Sequence, residues 1–334
     1  MNLKSHKGEN MDRFSHTKID TYINCPMKFY RRYIQRIVPI KKAKPLALGS
    51  CMAAGLAAFR NPETALAGLI KEASAMKNSP EGIQETLGAL SPAELAEDAF
   101  MKTWAEEERV LELVRENDPL RSIPRALEIL SEYCKTYVDD AEIFIQPEIV
   151  FKEEIAPGIF FEGRIDGVVK LADNQGIAID EDKTASRLGD FYFKQLRSSY
   201  QVLWYLWIAK HLKLFEIYGS QKPMLLMNVV YIHAKNFRFE QQLAIKTNRE
   251  VDASYQDLLM WIKQIQWAIE TNHFPQANSE ICLKYGGCEY LPLRNASESI
   301  RETLIKTNYR PYLSREEEEK KRAEKRQKAL EETQ

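Results

Sequence analysis

The strongest constraint on what this chain can fold into is a change of texture at Glu142. Upstream, from Leu46 to about Asp139, apolar residues recur at helical spacing, broken by turn signals at Asn61-Pro62, Asn78-Ser79-Pro80 and Asp118-Pro119. Downstream, Ile143–Lys152, Ile159–Leu171 and Gly176–Asp182 are rich in β-branched and aromatic residues, with a turn at Ala172-Asp-Asn-Gln-Gly176. These runs predict a three-stranded meander. A helix over about Phe191–Leu212, an apolar strand Met224–His233, a candidate partner strand Arg238–Ile245 and a helix Val251–Asn272 complete the succession. Near the N-terminus, Ile19, Tyr22 and Ile23 follow a capping hydroxyl at helical spacing, and Pro26 opens a second helix running to about Gln35. The order predicts a mixed α/β fold with a helical N-terminal elaboration, and it contains no internal repeat.

Composition narrows the class. Of the 334 residues, 44% are hydrophobic and 10% aromatic, which excludes disorder as the default and suffices for one large core or two modest ones. The 47 Lys and Arg almost cancel the 48 Asp and Glu, so a net charge of -1 gives no bulk argument for a polyanionic partner. Charged residues interrupt each apolar run well before the roughly 18 residues of a membrane span, and Met1–Met11 lacks a signal-peptide core, so a cytoplasmic protein with no membrane partner is expected. Residues 1–10 are expected to be disordered, 11–310 to form a single domain with a helical insertion at about 55–140, and 311–334 to be a charged tail. From Ser314 that tail carries seven acids and seven bases, pairing Glu316–Lys320, Glu317–Lys321 and Glu318–Arg322 at helical spacing. Five cysteines (Cys25, Cys51, Cys134, Cys282, Cys288) are too sparse for a disulfide framework. Buried thiols, a metal or cluster site, or a mixture remain open, with Cys51 and Cys134 read as buried small hydrophobes.

The meander holds the informative charges. Strand side chains alternate, so in Ile179-Asp-Glu-Asp-Lys183 the pair Glu181 and Lys183 shares one face, while Asp180 and Asp182 share the other. Asp166, in Phe161-Glu-Gly-Arg-Ile-Asp-Gly167, can sit opposite that pair across the hairpin. Two acids and a lysine at a strand end suit phosphodiester hydrolysis: the acids hold one or two Mg²⁺ ions and the lysine orients a water or offsets developing charge. By spacing alone, a solvated hairpin edge with a cross-strand ion pair is the commoner reason for such residues. A one-residue register slip would exchange Glu181 for Asp180 and Asp182, but only Glu181 has the i,i+2 relation to Lys183.

Four blocks in order resemble the PD-(D/E)XK nuclease superfamily, in particular its RecB-like branch of recombination, CRISPR-adaptation and phage exonucleases. They are Ser15-His-Thr-Lys-Ile-Asp-Thr-Tyr-Ile-Asn-Cys-Pro-Met-Lys-Phe-Tyr30, Gly163-Arg-Ile-Asp166, Ile179 to Thr184, and Gln201-Val-Leu-Trp-Tyr205. The resemblance implies a restriction-endonuclease-like core, a central mixed β-sheet flanked by helices. It implies a Mg²⁺- or Mn²⁺-dependent deoxyribonuclease of exonuclease type in recombination, repair or phage DNA processing. Asp166 and Glu181 would be metal ligands, the carbonyl of Asp182 a further one, and Lys183 the catalytic lysine. Gln201 and Tyr205, four apart on a helix, would support the site or the nucleic acid, or else pack the helix on the sheet. Glu148 resembles a commonly acidic position. Partners implied are DNA and a helicase, recombinase or single-strand annealing protein.

Two positions depart from that pattern. Ala53, in Leu48-Gly-Ser-Cys-Met-Ala-Ala-Gly-Leu56, stands where the branch usually has a metal-binding histidine; His233 reads as a core residue and His16 as lying near a helix cap. Cys25, Cys282 and Cys288 match three of four iron–sulfur ligands, but the fourth position is Arg294, and three thiolates do not complete a four-cysteine cluster. A catalytically degenerate nuclease fold that binds DNA or a protein partner without cutting is therefore the alternative. Between Thr21 and Pro62 there is no acid, while Lys28, Arg31, Arg32, Arg36, Lys41, Lys42, Lys44 and Arg60 interleave with Tyr22, Phe29, Tyr30 and Tyr33. On helical spacing Lys28, Arg31, Arg32 and Arg36 line one face suited to phosphates, with Lys194 and Arg197 as a second basic strip.

Overall fold

A computed structural model describes residues 12–40, 44–74, 90–110, 122–138, 143–172, 175–185, 189–220, 222–232, 236–283 and 287–314, together with positions 317, 320, 321 and 324. The chain divides into two units, one of residues 1–16 and 42–263, the other of residues 17–41 and 264–334.

The first unit is built on a six-stranded mixed sheet. The meander forms as the sequence predicts: β2 (Ile143–Ala156), β3 (Ile159–Lys170) and β4 (Ile177–Ala185), after a two-residue β1 (Arg13–Phe14). Strand β3 pairs antiparallel with β2 along most of its length, but with β4 only from Gly167↔Asp180 to Lys170↔Ile177. Near its start, Phe160 and Phe161 instead lie parallel to β1, opposite Arg13 and Phe14. Strands β3 and β4 therefore part company immediately before Gly167, next to Asp166. Strand β4 then pairs parallel with β5 (Met224–Ile232), from Ile179↔Leu225 to Ala185↔Tyr231, and β5 antiparallel with β6 (Phe237–Ile245). A parallel pair needs a crossover, and the chain between β4 and β5 supplies it through helices. β5 is buried almost throughout, as its continuous apolar sequence requires of a strand covered on both faces.

The crossover has two helices where the sequence reading has one, α4 (Asp190–Arg197) and α5 (Tyr200–His211), followed by a short helical turn at Leu214–Ile217. The break falls at Ser198-Ser199 because the Ser199 hydroxyl accepts the Val202 amide hydrogen at 3.4 Å and starts a new helix. Fully buried Trp204 donates its indole N–H to the Ser254 carbonyl on α6 (Asn248–Glu270) at 3.1 Å, tying α5 to that helix. On the chain before the meander, α1 (Lys44–Arg60), α2 (Pro92–Val110) and α3 (Ile123–Tyr137) share a core of Met52, Leu56, Phe100, Ile129 and Leu130, which reaches Val230 and Ile232 of β5. Two glycines of β3 are required by close approach: a Cβ on Gly163 would stand 2.7 Å from the Phe151 ring, and one on Gly167 would stand 2.7 Å from the Phe144 ring.

In the second unit, a helix Pro26–Phe29 runs into a π-helical turn, Tyr30–Ile34, closed by the Gln35 amide hydrogen on the Tyr30 carbonyl at 2.8 Å. Arg36, at φ 54°, ends it, and Ile37–Pro39 pairs antiparallel with Tyr309–Pro311. Among the described residues no helix is long and apolar enough to cross a membrane.

Candidate active site

The site is assembled where β3 and β4 separate. Just where β3 leaves β4, Asp166 accepts the main-chain N–H of Asp182 on its Oδ2 at 3.0 Å. On β4 the alternation holds. Lys183 donates from Nζ to Glu181 Oε1 on one face; Asp180 and Asp182 face the other way, where Arg60 of α1 donates to both. Gln201, in the first turn of α5, donates from Nε2 to the same Glu181 oxygen at 2.6 Å. Tyr205, one turn on, lies edge-on to Phe151 and His16, and burial, with Glu181 and Asp166 nearby, raises its phenol. The structure thus brings Asp166, Glu181, Lys183, Gln201 and Tyr205 together. Glu148 pairs with Arg164 across the β2–β3 ladder at 2.8 Å.

Electrostatics at this point are adverse to a bare carboxylate. Glu181 is 5% exposed. Its carboxyl is raised to about 7, by burial first and by the nearby Asp166, against the pull of Lys183. That mutual repulsion is what a divalent cation relieves. Among the described residues, Asp166 Oδ1 and Glu181 Oε2 have no protein donor, so each acid offers one oxygen. No three His, Cys, Asp or Glu side chains converge as a metal cluster among the described residues. Asp166 and Glu181, with the main-chain oxygen of Asp182, are the groups that would hold a cation here, and such an oxygen donor set would suit Mg²⁺ or Mn²⁺.

Two residues that the sequence reading leaves aside are part of this neighbourhood. His16 is half-buried, edge-on against Trp204 at 5.7 Å, and desolvation, with the charge of Lys183 adding, lowers its imidazole to about 4. Arg60 is no phosphate-facing base: its side chain is 8% exposed and committed to Asp180, Asp182 and the Tyr133 hydroxyl. A lone histidine and a basic residue inside a helical run carry no local signal of either contact. Ala53 lies on α1 and adds no donor, while His233 lies outside the described residues.

The basic segment of the second unit has partners of its own. Lys28 pairs with Glu289 at 3.0 Å, Arg31 donates to Gln35 at 2.5 Å, and Arg36 binds Glu317 and the Tyr312 carbonyl. Arg32 lies over the rings of Tyr33 and Tyr312. The π turn and the left-handed Arg36 take these residues off a regular α-helical face; Lys41 and Lys42 lie outside the described residues. In the first unit Lys194 is exposed and Arg197 donates to the Phe193 carbonyl.

The cysteine set does not fit a cluster. The Cys288 amide hydrogen reaches the Cys282 carbonyl at 2.7 Å and Cys25 lies in electrostatic reach of Cys288, so the three residues are neighbours. The fourth position, however, holds the Arg294 guanidinium, which donates to Cys282 Sγ at 3.1 Å. A cation there opposes the iron charge that four thiolates would neutralise.

Among solved structures, the chain is similar to the crystal structure of a candidate exonuclease from Eubacterium rectale, at 12% identity and a TM-score of 0.45, covering 85% of this chain and 92% of that one. It is also similar to the crystal structure of SSO0001, at 11% identity and a TM-score of 0.33, covering 86% and 87%. No curated protein matches. The family profile of the PD-(D/E)XK nuclease superfamily matches residues 13–293, which contain the whole sheet and each acid, lysine and glutamine of the site. The chain belongs to the PD-(D/E)XK nuclease superfamily.

Proposed function

We infer that the protein is a deoxyribonuclease of exonuclease type, dependent on Mg²⁺ or Mn²⁺, of the RecB-like branch and at work in DNA recombination, repair or phage DNA processing. The observation that carries the reading is the convergence of Asp166, Glu181, Lys183 and Gln201 at the parting of β3 and β4. A cation held by Asp166 and Glu181 supplies polarisation of the phosphate and a more acidic water. The chain's own residues do the rest. The Asp182 amide aims Asp166, Gln201 and Lys183 fix one Glu181 oxygen and leave the other free, and the Lys183 ammonium offsets charge that develops on the phosphate.

The test is incubation with end-labelled single- and double-stranded DNA and Mg²⁺ or Mn²⁺, beside Asp166→Ala and Lys183→Ala. Metal-dependent shortening from the ends is expected, falling by about 10³-fold or more in both variants, the scale of a lost transition-state contact. Binding of DNA without metal-dependent cutting would sink the enzyme reading and leave the non-cutting alternative, to which Ala53 also points.

A further inference from the structure

We propose that Arg60 is a positioning residue of the nuclease site, acting through Asp182 to set the metal-binding geometry from the opposite face of β4. The proposal rests on the metal-dependent reading of that site. Asp182 is the hub: its main-chain N–H holds Asp166, while its side chain points away from the site to Arg60. In an extended strand the N–H and C=O of one residue point to the same side, so the peptide that orients Asp166 also directs the Asp182 carbonyl towards the gap left by β3.

The guanidinium is itself fixed from three directions. Nη1 donates to Asp180 Oδ2 at 2.8 Å and to Asp182 Oδ2 at 2.5 Å, Nη2 donates to the Tyr133 hydroxyl at 2.7 Å, and the Phe144 ring lies 4.8 Å away. Asn228 of β5, opposite Asp182 in the parallel ladder, donates to the remaining Asp180 oxygen. Asp182 Oδ1 is buried with no hydrogen-bond partner among the described residues, which leaves Arg60 as the sole side-chain anchor of Asp182 there. One nitrogen of this planar cation thus grips both residues that flank Glu181, while its second is anchored on Tyr133. A lysine at position 60 would keep the charge and lose the fork.

Manganese binding to the full chain, read by the loss of the free Mn²⁺ paramagnetic resonance signal, tests this without reference to cutting. Arg60→Met and Asp182→Asn are each expected to weaken Mn²⁺ binding about tenfold or more, the usual scale for residues that orient ligands, with Arg60→Lys in between. In the cutting assay kcat should fall while KM for DNA stays within about twofold, since none of the three changes touches a residue placed on the substrate. Asp182→Asn keeps the side-chain shape and the main-chain amide, so it decides the matter if Arg60→Met does not fold. Wild-type Mn²⁺ affinity in Asp182→Asn would overturn the proposal and leave the nuclease reading intact. A wild-type protein that binds no Mn²⁺ would instead overturn the metal-dependent reading, and the proposal with it.

Discussion

Replacing Glu181 by glutamine should stabilise the protein while abolishing its proposed chemistry. Burial raises the carboxyl from the ordinary 4.5 to about 7 in spite of Lys183. A group that titrates higher when folded binds its proton more tightly in the native state. Its contribution is fully present below about 4.5, is lost as pH rises to about 7, and stays lost above. At 1.36 kcal/mol per pH unit the interval corresponds to about 3 kcal/mol of destabilisation at pH 8. Glutamine keeps an oxygen able to accept from Lys183 and Gln201 but carries no charge, so most of that loss should be recovered. Urea unfolding with a chelator present should find Glu181→Gln about 2–3 kcal/mol more stable than wild type at pH 8 and within about 1 kcal/mol of it at pH 5. An equally stable or weaker variant at pH 8, or a difference indifferent to pH, would refute the reasoning, because either result means that the folded carboxyl is not desolvated.

Three further outcomes can be checked. Arg60→Met leaves Asp180 and Asp182 buried without their cation and should cost about 3–5 kcal/mol at pH 8. Burial already raises both acids, so the folded variant takes up protons more readily than the unfolded chain and the deficit should shrink between pH 8 and pH 5; a constant deficit would contradict this. Gly167→Ala sets a Cβ against the Phe144 ring, on which Arg60 also packs, and should lose about 1–3 kcal/mol in urea unfolding, where an unhindered strand alanine would gain. The purified protein should be colourless, with iron and zinc well below one per chain, and Arg294→Ala should lower its melting temperature; stoichiometric iron in wild type would disprove the role given to Arg294.

Legibility followed the range of the interaction. The meander was readable because its pairings are local: β3 and β4 begin and end within a few residues of the predicted bounds. Alternation on β4 sorted Glu181 and Lys183 from Asp180 and Asp182 because strand faces have a period of two and no other degree of freedom. Arg60 reads in the sequence only as one charge of an acid-free basic segment, because neither composition nor helical spacing says what a side chain meets. The same limit applied to Lys28, Arg31 and Arg36, whose partners Glu289, Gln35 and Glu317 are mostly hundreds of residues distant. Ser198-Ser199 did carry a local signal, a capping serine inside an apolar run, and the strength of the flanking helical pattern concealed it.

The two residues of β1 have a consequence out of proportion to their number. They cover the start of the β3 edge that β4 leaves unpaired, at Phe160 and Phe161, with the Phe160 amide hydrogen also bound by the Asp12 carbonyl at 2.8 Å and Phe14 buried. A recombinant version beginning after Phe14 would keep every acid, lysine and glutamine of the site yet present a bare strand edge flanked by Phe160 and Phe161. Open edges of that kind recruit other chains, so the expected symptom of such a trimming is self-association on storage rather than a catalytic defect.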